Sequence, residues 1–215
     1  MQLYDGALPP HFRMLVSGSS ATGKSTLIHK ILLNENGLME KNFERVIYLQ
    51  GMETQSSKCL QQAFNENMIC FNNIPSQEVL LPLCKSEKKT VLVIEDMDDQ
   101  ACSSPLIAKF FRVYSHHLQV SVIISTQNIF CAGKERLTLI RNSTHLVIFP
   151  NFLDMTVIRM IAQKIYPKNP KLVIGLFEEV TKNQFGYLSV WGNAHPALKF
   201  RSHITEPLQL IYTLN

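Results

Sequence analysis

The stretch Gly18-Ser19-Ser20-Ala21-Thr22-Gly23-Lys24-Ser25 limits what this chain can fold into more than any other. It fits the spacing glycine, four residues, Gly-Lys-Ser. Apolar Met14-Leu15-Val16 precedes it and reads as a short buried strand. Thr26-Leu27-Ile28-His29-Lys30-Ile31-Leu32-Leu33 follows it and reads as a helix. A strand that passes through a glycine-rich turn into a helix is the context in which this spacing binds phosphate. The glycines let backbone N–H groups approach phosphate oxygens, and the helix N-terminus adds partial positive charge at the same point. Residues Gly18, Ser19, Ser20, Ala21, Thr22, Gly23, Lys24, Ser25 and Thr26 are therefore the expected nucleotide-contacting segment. Lys24 would reach the outer phosphates, and Ser25 would offer its hydroxyl to Mg2+. A chance match in a Ser/Gly-rich turn is the competing reading, and the flanking strand and helix speak against it.

Pattern beyond the loop repeats the alternation of strand and helix. Arg45–Gln50 reads as a second strand, 53–65 as a polar helix, 68–71 as a short strand and 77–83 as a short helix. Thr90-Val91-Leu92-Val93-Ile94-Glu95-Asp96 is an unbroken apolar run ending in carboxylates, the mark of a central parallel strand covered on both faces. Residues 105–118 carry apolar side chains at helical spacing. Strands are expected over 120–126 and 145–149, helices over 153–165 and 170–181, and a terminal β pair over 186–191 and 198–204. The expected fold is α/β, with a mostly parallel central sheet flanked by helices and a C-terminal β pair. At 215 residues this is one domain, 1–215, with residues 1–12 as a short lead-in.

Composition narrows the setting. Hydrophobic residues make up 46% and charged residues 18%, which is globular rather than disordered. The net charge of +4 is compatible with a polyanionic partner without demanding one. Cys59, Cys70, Cys84, Cys102 and Cys131 are odd in number and form no CxxC pair, so neither a zinc knuckle nor a disulfide framework is indicated. A reducing compartment, cytosol or nucleus, is expected. No apolar run approaches membrane-spanning length, and no signal-peptide layout opens the chain, so no membrane partner is expected.

Ligands of parallel sheets bind at the carboxyl ends of the strands. Phosphoryl transfer there needs charge neutralisation and an oriented nucleophile. Glu95 and Asp96 stand where the first carboxylate would hold Mg2+ and the second would polarise water. A shifted register would put Asp96 on the metal and Asp98 or Asp99 on the water. Glu95 is one methylene longer than the usual aspartate, which matters to an ion that demands near-octahedral geometry. Gln127 ends the next apolar strand, where an amide can hydrogen-bond both a terminal phosphate and a lytic water. An Asx turn made by Asn128 is the competing reading. Arg136 and Arg141 are candidates for a cationic finger reaching a neighbouring subunit's phosphates, as is Arg159 on the following helix. His116-His117 has no partner at metal spacing and reads as a solvated helix end.

Four places together resemble a known family: Phe12-Arg13 leading into Gly18–Ser25, the strand ending in Glu95-Asp96, Ser125-Thr126-Gln127-Asn128-Ile129-Phe130, and Arg141-Asn142-Ser143-Thr144-His145. The later Gln163-Lys164-Ile165-Tyr166-Pro167 and Phe185-Gly186-Tyr187-Leu188 match the same style. The chain resembles the genome-packaging ATPases of the FtsK–HerA superfamily, in the poxvirus-type packaging group, and looks closest to adintovirus and polinton-like versions. The resemblance implies a RecA-like P-loop NTPase fold of the ASCE type, ATP and Mg2+ as cofactors, and a homo-oligomeric ring. It also implies double-stranded DNA and capsid portal or vertex proteins as partners, at an assembly site in the host nucleus or cytoplasm or in the virion. It makes Lys24, Glu95, Asp96 and Gln127 the catalytic set, with Ser25 and Glu95 on the metal. A small nucleotide or nucleoside kinase and a nucleotide-gated, non-hydrolysing scaffold are the alternative functions. A kinase would need an Arg-bearing lid, and no compact Arg-rich segment is present.

Overall fold

The structure, a computed structural model, describes residues 7–130, 132–151 and 154–214. Cys131, the expected helix start at Leu153 and the first six residues of the lead-in lie outside the described residues. Among the described residues nine strands form one sheet: β1 Arg13–Ser17, β2 Arg45–Gln50, β3 Met68–Phe71, β4 Thr90–Glu95, β5 Ser121–Thr126, β6 His145–Ile148, β7 Leu188–Trp191, β8 Phe200–Ser202 and β9 Leu210–Tyr212. Their spatial order is β3-β2-β4-β5-β1-β6-β7-β8-β9. The first six are mutually parallel, and β7 to β9 add on antiparallel. The expected C-terminal β pair is present. It continues the main sheet and gains a third strand, β9, too short and polar-flanked for its sequence to announce.

Side chains alternate across the strands, as the two-residue period requires. Met14 and Val16 of β1, Val46 and Tyr48 of β2, and Val91 and Val93 of β4 face one layer, built from α1 (Lys24–Leu32) and α2 (Gln55–Phe64). Leu15, Ile47, Leu49, Leu92 and Ile94 face the other. That layer holds α3 (Gln77–Cys84), α4 (Asp98–Ser103), α5 (Pro105–Lys109), α6 (Ser115–His117), α7 (Arg136–Asn142), α8 (Thr156–Ile165) and α9 (Pro170–Val180). Both faces being covered explains why β4 and β5 are buried along their whole length. α5 and α6 are one continuous helix joined by a π-helical stretch, Phe110–Tyr114. That stretch gives no signal in the hydrophobic spacing. α4 and α7 were also hidden, being only six and seven residues long. Cys59, Cys70 and Cys84 are free thiols. Among the described residues no helix is long and apolar enough to cross a membrane.

His145 opens β6 and is 4% exposed, with its ring edge-on to Trp191 at 4.6 Å. Burial, then the Arg201 and Arg13 guanidinium groups, push its imidazole down from the ordinary 6.5 to about 3. Between those values the unfolded chain binds a proton that the folded chain refuses. This contribution to stability is therefore complete above pH 6.5 and is lost as the pH falls toward 3. In urea denaturation between pH 7.5 and 5, His145→Phe should flatten the acid-side loss of stability by up to about 1.4 kcal/mol per pH unit.

Candidate active site

β1 delivers the chain into the glycine loop at the centre of the sheet, between β5 and β6. The loop is pinned from below: Gly18 N–H donates to Thr126 O at 3.2 Å, and Ser19 N–H to Pro150 O at 3.4 Å. A Cβ on Gly18 would lie 2.5 Å from the Phe149 Cβ, so only glycine allows this close approach to the end of β6. Gly23 caps α1 at φ 104°, a left-handed conformation that side chains disfavour. Thr22 Oγ1 donates to Ser19 O at 2.7 Å, closing the turn on itself. Lys24 is 8% exposed, and its Nζ donates to the carbonyls of Gly18 and Ser19 at 2.7 and 2.8 Å. Burial lowers the affinity of that ammonium for its proton; Asp96, then Glu95 and Asp98, act against this.

The alternation along β4 decides what meets Ser25. Glu95 shares the parity of Val91 and Val93, so it points to the face that α1 covers. Its Oε1 accepts from Ser25 Oγ at 2.5 Å, and its Oε2 accepts from the Tyr48 hydroxyl of β2. Burial and the adjacent Glu95 carboxylate push the Tyr48 phenol far above its usual range, so Tyr48 is a permanent donor here. His29 lies one turn beyond Ser25 on α1 and within the field of Glu95. Burial lowers its imidazole pKa; Glu95 and Glu35 oppose that shift.

Asp96 follows with φ 54° and an exposed side chain, so β4 stops at Glu95. Gly51, at the end of β2, permits this turn: a Cβ there would stand 2.8 Å from the Asp96 carbonyl oxygen. Asp98 turns the other way. It accepts from Thr126 Oγ1 at 2.7 Å and from Gln127 N–H at 2.8 Å, tying α4 to the end of β5. Asp99 is exposed on α4. The Gln127 side chain is exposed and borders a small cleft with Gly18, Phe149 and Asn151, next to the glycine loop. Asn128 does make a local turn, its Oδ1 accepting from Phe130 N–H at 2.8 Å, so the turn and an available Gln127 coexist.

The structure thus brings Lys24, Ser25, Glu95, Asp96 and Gln127 around one loop and leaves the arginines elsewhere. Arg136 opens α7, half-buried, with Nη1 donating to Phe130 O at 3.0 Å. Arg141 is exposed near the other end of α7. The chain reaches the amino end of β1 soon after, where Thr144 N–H donates to Arg13 O at 2.8 Å. Arg159 is exposed on α8. Sequence reasoning missed a cavity of about 310 Å3 beside the loop. Thr26, Phe149, Phe185, Tyr187, Thr205 and Glu206 are among its lining residues. Phe185 is 56% exposed and rests against Gly23. The Tyr187 hydroxyl accepts from Ile204 N–H at 2.8 Å, and Lys30 pairs with Glu206 at 2.7 Å across the mouth. An aromatic doublet around Gly186, well after the loop, was the available signal.

No family model matches the chain, and no curated protein matches it. Among solved structures it is similar to the genome packaging NTPase B204 from Sulfolobus turreted icosahedral virus 2. In the AMP complex of that protein the overlap covers 86% of this chain and 95% of the other, with a TM-score of 0.56 and 17% identity. In its sulfate complex the shares are 91% and 97%, with a TM-score of 0.58 and 16% identity. The overlap shows a shared α/β fold, with a mostly parallel central sheet flanked by helices, over most of both chains.

Replacing Tyr48 by Phe removes one of the two hydroxyl donors to a buried carboxylate. Tyr48→Phe should lower unfolding stability by about 1.5–3 kcal/mol, measured by denaturant titration, because hydrogen bonds to charged groups fall in that range.

Proposed function

We propose that this protein is an ATP-driven motor of the FtsK–HerA superfamily that packages viral double-stranded DNA into a preformed capsid. The observation that carries the reading is the meeting of Ser25 with Glu95 at 2.5 Å directly beside the glycine loop. A hydroxyl and a carboxylate so placed are the hard oxygen ligands that Mg2+ takes, so the residues present fit that ion. Bound there, Mg2+ supplies positive charge that neutralises the terminal phosphates. Tyr48 on the far side of Glu95 supports the unshifted register, because it orients the longer side chain toward Ser25. Asp98, already engaged by Thr126 and Gln127, is the weaker candidate for water activation.

In this reading Lys24 exchanges its loop carbonyls for phosphate oxygens as acceptors. Asp96, exposed and within the field of Lys24, accepts the proton of the attacking water. Gln127 orients that water from the end of β5. The nucleobase occupies the cavity beside Gly23 and stacks on Phe185. The packaging role draws on the fold shared with B204, a viral packaging NTPase solved with AMP and with ATP-gammaS, and on the sequence resemblance. A homo-oligomeric ring, a capsid portal or vertex partner and a viral assembly site in nucleus or cytoplasm belong to the same proposal. Arg141 is the finger we favour: it is exposed, whereas Arg136 is held by its own Phe130 carbonyl. Arg141 lies near the sheet edge opposite the loop. A head-to-tail ring contact, which pairs different surfaces of each subunit, can present it to a neighbour.

ATP hydrolysis measured against protein concentration, with and without duplex DNA, tests the whole reading. Specific activity should rise with concentration and with DNA, and the DNA effect should weaken with salt. Stimulation by a nucleoside acceptor instead of DNA would identify a kinase; binding without turnover under every condition would identify a scaffold. Lys24→Ala should lose nucleotide binding. Asp96→Asn should keep binding and lose about 10²–10⁴-fold in turnover, the usual contribution of a general base. Unchanged turnover in Asp96→Asn would move the water activator to Asp98 or Asp99.

The base position is tested separately. Phe185→Ala should weaken ATP binding by about 1–3 kcal/mol, the range for aromatic stacking on a base, while leaving inorganic triphosphate binding unchanged. Equal losses for both ligands would remove the base from that cavity.

A further inference from the structure

The cavity beside the glycine loop has two walls, each fastened by the fold itself. In one, Gly186 packs so tightly on the end of α9 that a Cβ there would stand 2.1 Å from the Val180 carbonyl oxygen. Its N–H donates to Asn183 O at 3.0 Å. Phe185, the residue before it, rests against Gly23. The other wall is the turn 203–206 between β8 and β9. Three contacts bind that turn to other elements. Asn36 Nδ2 donates to Thr205 O at 2.9 Å, Ile204 N–H donates to the Tyr187 hydroxyl at 2.8 Å, and Lys30 Nζ donates to Glu206 Oε1 at 2.7 Å. Glu206 N–H closes the turn by donating to His203 O at 2.9 Å.

Position along α1 gives the Lys30–Glu206 pair its meaning. Thr26 and Lys30 both line the cavity. Four residues apart, they share one face of the helix, about 6 Å from each other along its axis. Thr26 belongs to the first turn, where the expected phosphate contacts end. Lys30 and Glu206 stand one turn further on. With the base against Phe185 and the innermost phosphate at the first turn, the sugar joining them faces this pair.

Glu206 is the sole carboxylate among the described lining residues. Lys30 engages its Oε1, while its Oε2 accepts from no described residue. An ionised carboxylate has about four acceptor sites, so one ammonium leaves most of them open. The two side chains are 33% and 42% exposed, and ion pairs this accessible contribute little to stability. The pair is therefore better placed to serve a ligand than to hold the fold. Since Glu206 already offsets the Lys30 charge, hydroxyl donors suit the pair better than phosphate does.

We propose that Glu206, oriented by Lys30, accepts hydrogen bonds from the ribose hydroxyls of the bound nucleotide, so that the site takes ribonucleoside triphosphates in preference to their 2′-deoxy forms. This rests on the placement of the base against Phe185 proposed above. The neighbouring 2′ and 3′ hydroxyls of a ribose match the two oxygens of a carboxylate, and such charge-assisted bonds are the strong ones. A site built to bond a substrate hydroxyl disfavours the analogue that lacks it. The contact is to the sugar, so the preference is the same for adenine and guanine nucleotides.

Calorimetry of the full chain with Mg2+ and ATP, 2′-deoxyATP or inorganic triphosphate tests this. The unsubstituted chain should bind ATP about tenfold more tightly than 2′-deoxyATP, the effect of one hydrogen bond to a charged group. Glu206→Ala should bind the two equally, and Glu206→Gln should recover part of the ratio. Inorganic triphosphate should bind all three chains alike, which also reports that the loop is folded. GTP and 2′-deoxyGTP should repeat the adenine ratio. Equal binding of ATP and 2′-deoxyATP by the unsubstituted chain, or an undiminished ratio in Glu206→Ala, overturns the proposal. A ratio confined to adenine nucleotides puts Glu206 on the base and overturns it as well. Phe185→Ala separates this failure from failure of the base site. If that variant weakens ATP alone while Glu206→Ala leaves the ratio unmoved, only the ribose contact falls. If it weakens ATP and triphosphate equally, the base is elsewhere and both readings fall. Absence of ATP binding in the unsubstituted chain overturns the proposed function and this contact together.

Discussion

The Glu95 carboxylate is the joint on which the site depends. Burying a charge is costly unless it is hydrogen-bonded, and Glu95 is 6% exposed. Its two oxygens are satisfied by hydroxyls from two different elements, Ser25 of α1 and Tyr48 of β2. One side chain thereby fixes the first turn of α1 against the ends of β2 and β4. The extra methylene relative to aspartate gives Glu95 the reach to meet both donors. What looked in the sequence like a departure from the usual metal carboxylate becomes, in three dimensions, part of a two-sided clamp.

The rest of the arrangement follows from strand order. β1 lies between β5 and β6, and β4 lies beyond β5. Parallel strands put their carboxyl ends at one edge, so the glycine loop, Glu95-Asp96 and Gln127 come together although they are far apart in sequence. Asp98 then links the last two by accepting from Thr126 and Gln127. At the amino edge, Arg13, His11, His116 and His145 border one cavity.

Much of the fold was legible because the strands are apolar on both faces and the turns between them are polar. Val91 to Ile94 could only be a buried strand, and Arg45–Gln50 emerged with the bounds expected. Short elements were not legible. α4, α7 and β9 are too brief for periodicity to separate them from loops, and the π-helical stretch leaves the apolar spacing intact. The third C-terminal strand exists because β8 has an unpaired edge that the returning chain can cover. That is a tertiary opportunity with no local signature.

The chain's residues alone determined the phosphate-type loop, the carboxylate-ended strand and the general α/β alternation, since each rests on neighbours along the sequence. Tertiary structure alone decided that Tyr48 would hold Glu95, that Asp98 would serve Gln127 rather than Ser25, and that Phe185 would stand over Gly23. It also decided that the Arg13 side chain would donate to Phe111 O in the π-helical stretch. These are contacts between residues up to 162 positions apart, as between Gly23 and Phe185. Only the packing of two helical layers on one twisted sheet sets such distances.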